Sequence, residues 1–259
     1  LYRQGNKSEA MAILQQAVEQ FPDNGALRDY YARRLVDEKR FDAAREQFEI
    51  LLRKAPANHE AEYALGLLAL QLEDLDTSAK HFKHLVKTGQ RVNEASYYLG
   101  QIAEQREQYD KALQWYQVVS GGQYHLEAKI RMALLEARKG DIERARERLQ
   151  EIEADSAEAE QRLYLAEGEI LREAKRYQDA FDLYNKALSR LPDNISLLYA
   201  RALTAEKVDR IDVTFADLEK IIQQEPNNVQ ALNAYGYTLL DRTEPVSYTH
   251  LTLPTNREV

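Results

Sequence analysis

Four of the six prolines in this chain lie on one lattice. Pro22 and Pro56 are 34 residues apart, Pro56 and Pro192 are separated by 136, four times that interval, and Pro192 and Pro226 again by 34. The glycines carry the same period independently: Gly66, Gly100, Gly168 and Gly236 are spaced by 34, 68 and 68. Helix-breaking and helix-packing residues that agree on one register restrict the chain to a repeat architecture, because periods of roughly 20–50 residues arise when one supersecondary unit is stacked many times. A unit of that size cannot bury its apolar faces alone. The core is shared between neighbours, and stability becomes a nearest-neighbour sum.

The unit is helical. Ala, Leu, Glu, Gln, Lys and Arg dominate the 259 residues, while Gly (10) and Pro (6) are scarce, so helix is favoured at almost every step and an all-α fold follows. The net charge of -8 removes any general attraction to phosphate backbones or an anionic bilayer; neither nucleic acid nor a membrane surface is an expected partner. The absence of Cys removes disulfides, thiolate metal sites and cysteine nucleophiles together, and leaves the redox compartment open. No apolar run approaches the roughly 20 residues needed to cross a bilayer.

Within the period, the residues resemble the tetratricopeptide repeat (TPR) family, whose first helix carries a Leu-Gly pair and whose second carries small–aromatic–small places before a Pro. Leu99-Gly100 is followed by Ala103, Tyr109, Ala112, Tyr116 and Val119; Gly168 leads to Leu171, Tyr177, Ala180, Tyr184, Ala187 and Pro192. Leu65-Gly66 precedes Phe82 and Leu85, and Ala44, Phe48, Leu51 and Pro56 end the copy before. The resemblance runs from Leu1 to about Thr243 and implies a right-handed α-solenoid of stacked helix-turn-helix hairpins. A small residue at the eighth place lets the two helices approach, and the aromatic at the twenty-fourth fills the space beside it. Pro ends the second helix, and Pro-Asp-Asn (Pro22, Pro192) or Pro-Asn-Asn (Pro226) resets the chain.

Counting copies gives a second helix with most of a first one (Leu1 to Pro22), then six full hairpins beginning near Gly25, His59, Asn93, Leu126, Gln161 and Ile195. A lone first helix follows from Val229. The spacing shrinks to 33 into the copy at Leu126 and grows to 35 after it. That copy has Ala133 for Gly, Leu149 for the aromatic and no terminal Pro, and Ser120-Gly121-Gly122 precedes it. The two glycines read either as a flexible joint or as a slightly longer loop. The domain reading is one solenoid over residues 1–243 and a tail over 244–259 with no stable fold. In that tail, Val246 to Thr255 resembles a reading-frame translation of a sequencing-library adapter, and the segment from Pro245 is set aside. The opening at Leu1, without Met and already in a helical pattern, reads as an interior start, so any signal or lipid anchor would precede it.

Catalytic templates are unsatisfied: no Gly-rich phosphate loop ending in Lys-Ser/Thr, no His-Glu-x-x-His, no Gly-x-Ser-x-Gly. His81 and His84 share a helix face at i, i+3 but lack further ligands nearby in sequence, so they read as a solvated face before a metal pair. Glu151 with Glu153, and Glu158 with Glu160, read as surface acids. Trp115 reads as packing. No enzyme activity, metal or cofactor is expected.

What the family resemblance implies is a concave groove lined by places 2, 5, 9, 12 and 13 of the first helices. The groove residues so named are Arg33, Tyr63, Leu67, Tyr97, Gln101, Arg138, Arg172, Tyr199, Leu203 and Tyr237. Tyr recurs at the fifth place in Tyr63, Tyr97 and Tyr199. Such a ladder offers large contact area at low entropic cost to an extended peptide or partner helix, or it covers seams between repeats. On the first reading, replacing all three by Ala weakens partner capture without unfolding. The Lys/Asn/Arg carboxylate clamp of chaperone-tail binders is missing: the fifth and ninth places hold Asp29/Arg33, Tyr63/Leu67, Tyr97/Gln101, Ile130/Leu134, Leu165/Glu169 and Tyr199/Leu203.

Two segments, Ala231 to Thr243 and Leu198 to Lys207, resemble proteobacterial TPR lipoproteins of the outer membrane, which act as adaptors for a periplasmic carboxyl-terminal processing protease. The function expected is a non-catalytic scaffold for a protein or peptide partner, with that protease as the named candidate. The expected place is periplasmic and outer-membrane associated, the membrane being reached through a lipid anchor outside this segment. The alternatives are a cytoplasmic location and the regulatory TPR arm of a larger glycosyltransferase or protease.

Overall fold

The computed structural model describes residues 7–242, and among them every regular element is an α-helix. In chain order they are α1 (Lys7–Gln20), α2 (Gly25–Asp37), α3 (Phe41–Lys54), α4 (His59–Gln71), α5 (Leu75–Lys87), α6 (Val92–Gln105) and α7 (Tyr109–Val118). There follow α8 (His125–Arg138), α9 (Ile142–Gln150), α10 (Ala157–Glu173), α11 (Tyr177–Arg190), α12 (Ile195–Lys207), α13 (Ile211–Gln224) and α14 (Val229–Arg242). Even-numbered helices are first helices and odd-numbered ones second helices. The expectations for Leu1 to Asn6 and for the tail from Thr243 lie outside the described residues.

The described residues form two compact units, divided between Leu135 and Glu136. The boundary falls inside α8 and not at Gly121-Gly122, where the loop is tied down: the Asn93 side chain accepts from Ser120 N at 3.1 Å, and His125 Nδ1 meets Val119 O at 3.0 Å. In the first unit, Ala32, Leu35, Ala44, Phe48 and Leu51 form one core, and Phe82, Leu85, Ala95, Leu99 and Ile102 continue it. In the second, Leu171, Tyr184, Leu197, Leu198, Leu218 and Ile221 do the same.

The glycine lattice is explained by rings. A Cβ built on Gly66 would fall 2.8 Å from Phe82 Cε1, and one on Gly100 or Gly168 would run into Tyr116 or Tyr184. Carbon atoms pack at about 3.5–4.0 Å, so these places admit no side chain while the ring stays. The proline lattice marks caps. Two residues after each lattice Pro stands an Asn, and Asn24, Asn58, Asn194 and Asn228 each accept a backbone N–H three residues on at 3.0 Å, satisfying one of the donors that a helix start leaves open.

Within hairpins the turn is made by a left-handed residue. Lys39, Glu73, Glu107, Gly140, Lys175 and Asp209 have φ of 58, 60, 57, 98, 60 and 59°. The next N–H reaches back five residues: Arg40 to Leu35 O, Asp74 to Ala69 O, Gln108 to Ala103 O, Arg176 to Leu171 O and Arg210 to Ala205 O, all at 2.8 Å. This is the Schellman closure of a helix end, and only one of the six positions uses glycine.

The irregular copy absorbs its spacing through helix length. α9 has 9 residues where α3, α11 and α13 have 14, and α10 has 17. α10 starts at Ala157, ahead of the expected Gln161, because Ser156 Oγ caps it by accepting from Ala159 N at 3.1 Å.

Candidate functional site

The ninth and thirteenth places of α2, α4 and α6 are Arg33 and Asp37, Leu67 and Gln71, Gln101 and Gln105. They border two adjoining depressions of the first unit. The first, of about 420 Å3, has Val36, Phe41, Phe48, Ala64 and Leu68 in its apolar lining and Arg33, Arg34, Asp37 and Gln71 at its polar margin. The second, of about 600 Å3, is lined by Leu67, Leu70, Gln71, Glu73, Gln101 and Gln105. Leu67 and Gln71 belong to both, so the two depressions adjoin at α4, and together they make a trough with Arg33 in one half, Gln101 in the other and Leu67 between. Arg33 donates from Nε to Asp29 Oδ2 at 2.7 Å, and that bond raises its pKa; its charge is permanent and its direction set.

The tyrosines of the fifth place do otherwise. Tyr97 is 6% exposed: its ring stacks on Tyr124 with centroids 4.3 Å apart, and its hydroxyl accepts from Gln101 Nε2 at 3.0 Å. It belongs to the seam and not to the groove, a correction to the expected ladder, because the ring is sandwiched by a loop tyrosine the repeat pattern does not mark. Tyr63 is half-buried, edge-on to Phe82 and Tyr98, with the Arg91 guanidinium 4.5 Å from its ring centroid. Arg91 is held there by two bonds to Glu60, at 2.9 and 2.7 Å. Burial, foremost, pushes the Tyr63 phenol up to about 12. Tyr98 and Tyr124 complete the cluster through an O···O contact of 2.7 Å. Sequence reasoning missed both: Tyr98 follows a lattice residue, and Tyr124 sits in the one loop of irregular length.

In the second unit Arg138 and Tyr237 are exposed, and Arg172, Tyr199 and Leu203 are half-buried, Tyr199 packing against the Leu197–Leu198 core. The described cavities do not gather these five residues into one depression. What the unit has instead are buried ion pairs: Arg148 holds Glu136 by two bonds of 2.8 and 2.6 Å, Arg201 holds Asp217 likewise, and Arg146 and Gln150 donate to Glu167 at 3.0 and 2.7 Å. Beside the shortened α9 lies a cleft of about 920 Å3, with Leu149, Leu163 and Leu183 in its lining and charges of both signs at its margin.

His84 is exposed, as a solvated face requires, whereas His81 is largely buried. Both imidazoles turn to the buried Glu62 carboxylate of α4, His84 Nδ1 at 2.7 Å and His81 Nδ1 at 3.6 Å. Burial, the larger influence, lowers the His81 pKa. Among the described residues no three of His, Cys, Asp and Glu are gathered to hold a metal, and no helix is long and apolar enough to cross a membrane.

Comparison with known proteins places this geometry. A family model for the tetratricopeptide repeat matches residues 32–90, 63–123 and 130–195, and a second matches 1–24. A TPR repeat-containing protein of Pseudomonas aeruginosa is 34% identical over 133 residues, which are 51% of this chain and 22% of that protein; the matched part thus spans about a fifth of its relative. Among solved structures, the C-terminal part of a TPR repeat-containing protein from Cytophaga hutchinsonii superimposes with a TM-score of 0.63 at 13% identity, covering 90% of this chain and 96% of that one. A tetratricopeptide repeat protein from Parabacteroides merdae gives 0.61 at 17% identity, with 88% and 86% covered. PilF of Pseudomonas aeruginosa gives 0.55 at 12%, with 82% and 97% covered.

Proposed function

The chain belongs to the tetratricopeptide repeat family, a fold that serves as a protein-interaction scaffold, and from that premise we propose that the trough of the first unit is where it holds its partner. The observation that carries this reading is the meeting of two depressions at Leu67. Leu67 and Leu70 offer apolar contact, while the amides of Gln71, Gln101 and Gln105 offer donors and acceptors of the kind an extended main chain needs. Arg33, at one end, adds a fixed positive charge that favours an acidic residue in the partner segment.

The partner we infer is the carboxyl-terminal processing protease of the periplasm, with the chain as its outer-membrane adaptor. The resemblance of Ala231 to Thr243 and Leu198 to Lys207 to repeat lipoproteins with that role supports this. The test is a calorimetric titration of the protease into this chain and into Leu67→Glu. Leu67 is half-buried, so the variant keeps its fold while placing a charge in the trough; capture weakens by about 1–3 kcal/mol. Equal affinity of variant and wild type removes the trough from the reading. Absence of any binding by the wild type removes the protease while leaving the scaffold.

A further inference from the structure

A charge taken out of water is unfavourable unless an opposite charge meets it. Among the described residues five charged side chains are buried: Arg28, Glu62, Glu136, Glu167 and Asp217. Each of the four acids is met by an imidazole or a guanidinium, His84 for Glu62, Arg148 for Glu136, Arg146 for Glu167 and Arg201 for Asp217. Arg28 of α2, 7% exposed, is met by neutral groups alone. Its Nη1 donates to Gln47 Oε1 at 2.6 Å and its Nη2 to Pro22 O at 3.2 Å, while Nε has no partner. Asp23, beside Pro22, is taken by Lys54 Nζ at 2.6 Å. A guanidinium carries five N–H donors, so three of them are unused.

Arg28 borders a cavity of about 350 Å3 between α1, α2 and α3. Tyr31, three residues on, borders it too; the residue is 5% exposed, and among the described residues its hydroxyl makes no hydrogen bond. Burial, foremost, raises its pKa, so the phenol keeps its proton and can donate it. The cavity therefore has two buried donors without an acceptor to match. At its margin stand the exposed Arg40, which has no ion pair of its own, and the exposed carboxylates of Glu19 and Glu46.

We propose that this cavity is a binding site for a single carboxylate group, held by the guanidinium of Arg28 and the hydroxyl of Tyr31. A carboxylate matches a guanidinium edge with two parallel hydrogen bonds, and Tyr31 supplies a third. Gln47 Oε1 accepts in the free chain the bond that a carboxylate oxygen takes on binding. Glu19 and Glu46 oppose an anion of higher charge such as phosphate, and they favour a carboxylate whose far end is neutral or cationic. The group can belong to a free small acid or to an acidic side chain of a partner. None of the residues around this cavity belongs to either depression of the trough, so the assignment is independent of the reading given there.

The test is a calorimetric titration of the full chain with propionate, with N-acetyl-glutamate amide and with inorganic phosphate. Saturable binding of a carboxylate is expected, with phosphate at least tenfold weaker. The tighter of the two carboxylates names the source, propionate for a free acid and the capped glutamate for a partner's side chain. Arg28→Gln lowers the carboxylate affinity about tenfold or more, the loss of charge-assisted hydrogen bonds, and Tyr31→Phe lowers it by less. If Arg28→Gln alters the far-UV spectrum, Tyr31→Phe decides. No saturable binding of either carboxylate, phosphate bound as tightly as the carboxylates, or unchanged affinity in the folded variants overturns the proposal.

Discussion

One substitution, made at two places of equal rank in the repeat, should change stability in opposite directions. Ala in place of Gly inside a helix is worth about 1 kcal/mol in propensity. At Gly236 the added methyl enters open space, and α14 should keep that gain, up to about 1 kcal/mol. At Gly100 the same methyl meets Tyr116, which is 1% exposed and donates its hydroxyl to Glu104 Oε2 at 2.9 Å. The ring has no empty side to move into. Turning it off its rotamer costs about 0.5–1.5 kcal/mol, losing a hydrogen bond to a charged group about 1.5–3 kcal/mol, and overpacking as a class about 1–3 kcal/mol. The lower ends of these costs come to about 3 kcal/mol, and less the propensity gain of about 1 they leave Gly100→Ala destabilised by about 2 kcal/mol or more. Urea unfolding followed by circular dichroism reads this as a lower midpoint at unchanged slope. Amide exchange in α14 reads the Gly236→Ala gain, which a global midpoint would dilute because repeat arrays open locally. A Gly100→Ala chain as stable as the parent would refute the argument that the glycine exists for the ring.

Tyr97→Ala should act on folding and not on capture: removing a buried aromatic costs about 3–5 kcal/mol, so the midpoint falls, while Tyr63→Ala, half-exposed, costs less. Glu167→Ala removes the buried carboxylate that accepts from both Arg146 and Gln150, while Arg146 keeps Glu143 at 3.1 Å, and should cost about 1.5–3 kcal/mol, seen as faster amide exchange in α9 and α10, with Glu167→Gln milder. The phenols of Tyr63, Tyr97, Tyr98 and Tyr116 are all raised, chiefly by burial. The folded chain therefore keeps protons that the unfolded chain loses at about pH 10, and the stability present below that pH declines as it is passed. A urea midpoint lower at about pH 11 than at pH 9, with less of a fall in Tyr98→Phe, checks this; a flat profile speaks against it.

The period, the helical class and the hairpin register were legible because Pro and Gly have few uses inside helices and each use leaves a spacing. The rings at Phe82, Tyr116 and Tyr184 were legible with them. The groove was legible in part. Arg33 and Gln101 line two separate depressions that adjoin at Leu67, since places nine and thirteen of successive first helices are neighbours. Tyr97 was misplaced because position on a helix gives direction but not what arrives from a loop, and Tyr124 arrives from a loop outside the lattice. The buried acids Glu62, Glu136 and Glu167 carried no signal in the sequence for the same reason: their partners, His84, Arg148 and Arg146, stand on neighbouring helices at separations of 12 to 22 residues, where no local pattern links them.

The left-handed turns inside the hairpins were not visible at all, because five of the six carry Lys, Glu or Asp in place of glycine. Their closure runs through main-chain hydrogen bonds. Left-handed backbone costs a non-glycine residue about 1–2 kcal/mol, and the array tolerates that cost in at least five copies. Residue identity at this edge accordingly changes from copy to copy while the hairpin keeps its shape, and glycine at Lys39, Glu73, Glu107, Lys175 or Asp209 is the substitution that relieves the strain of the turn.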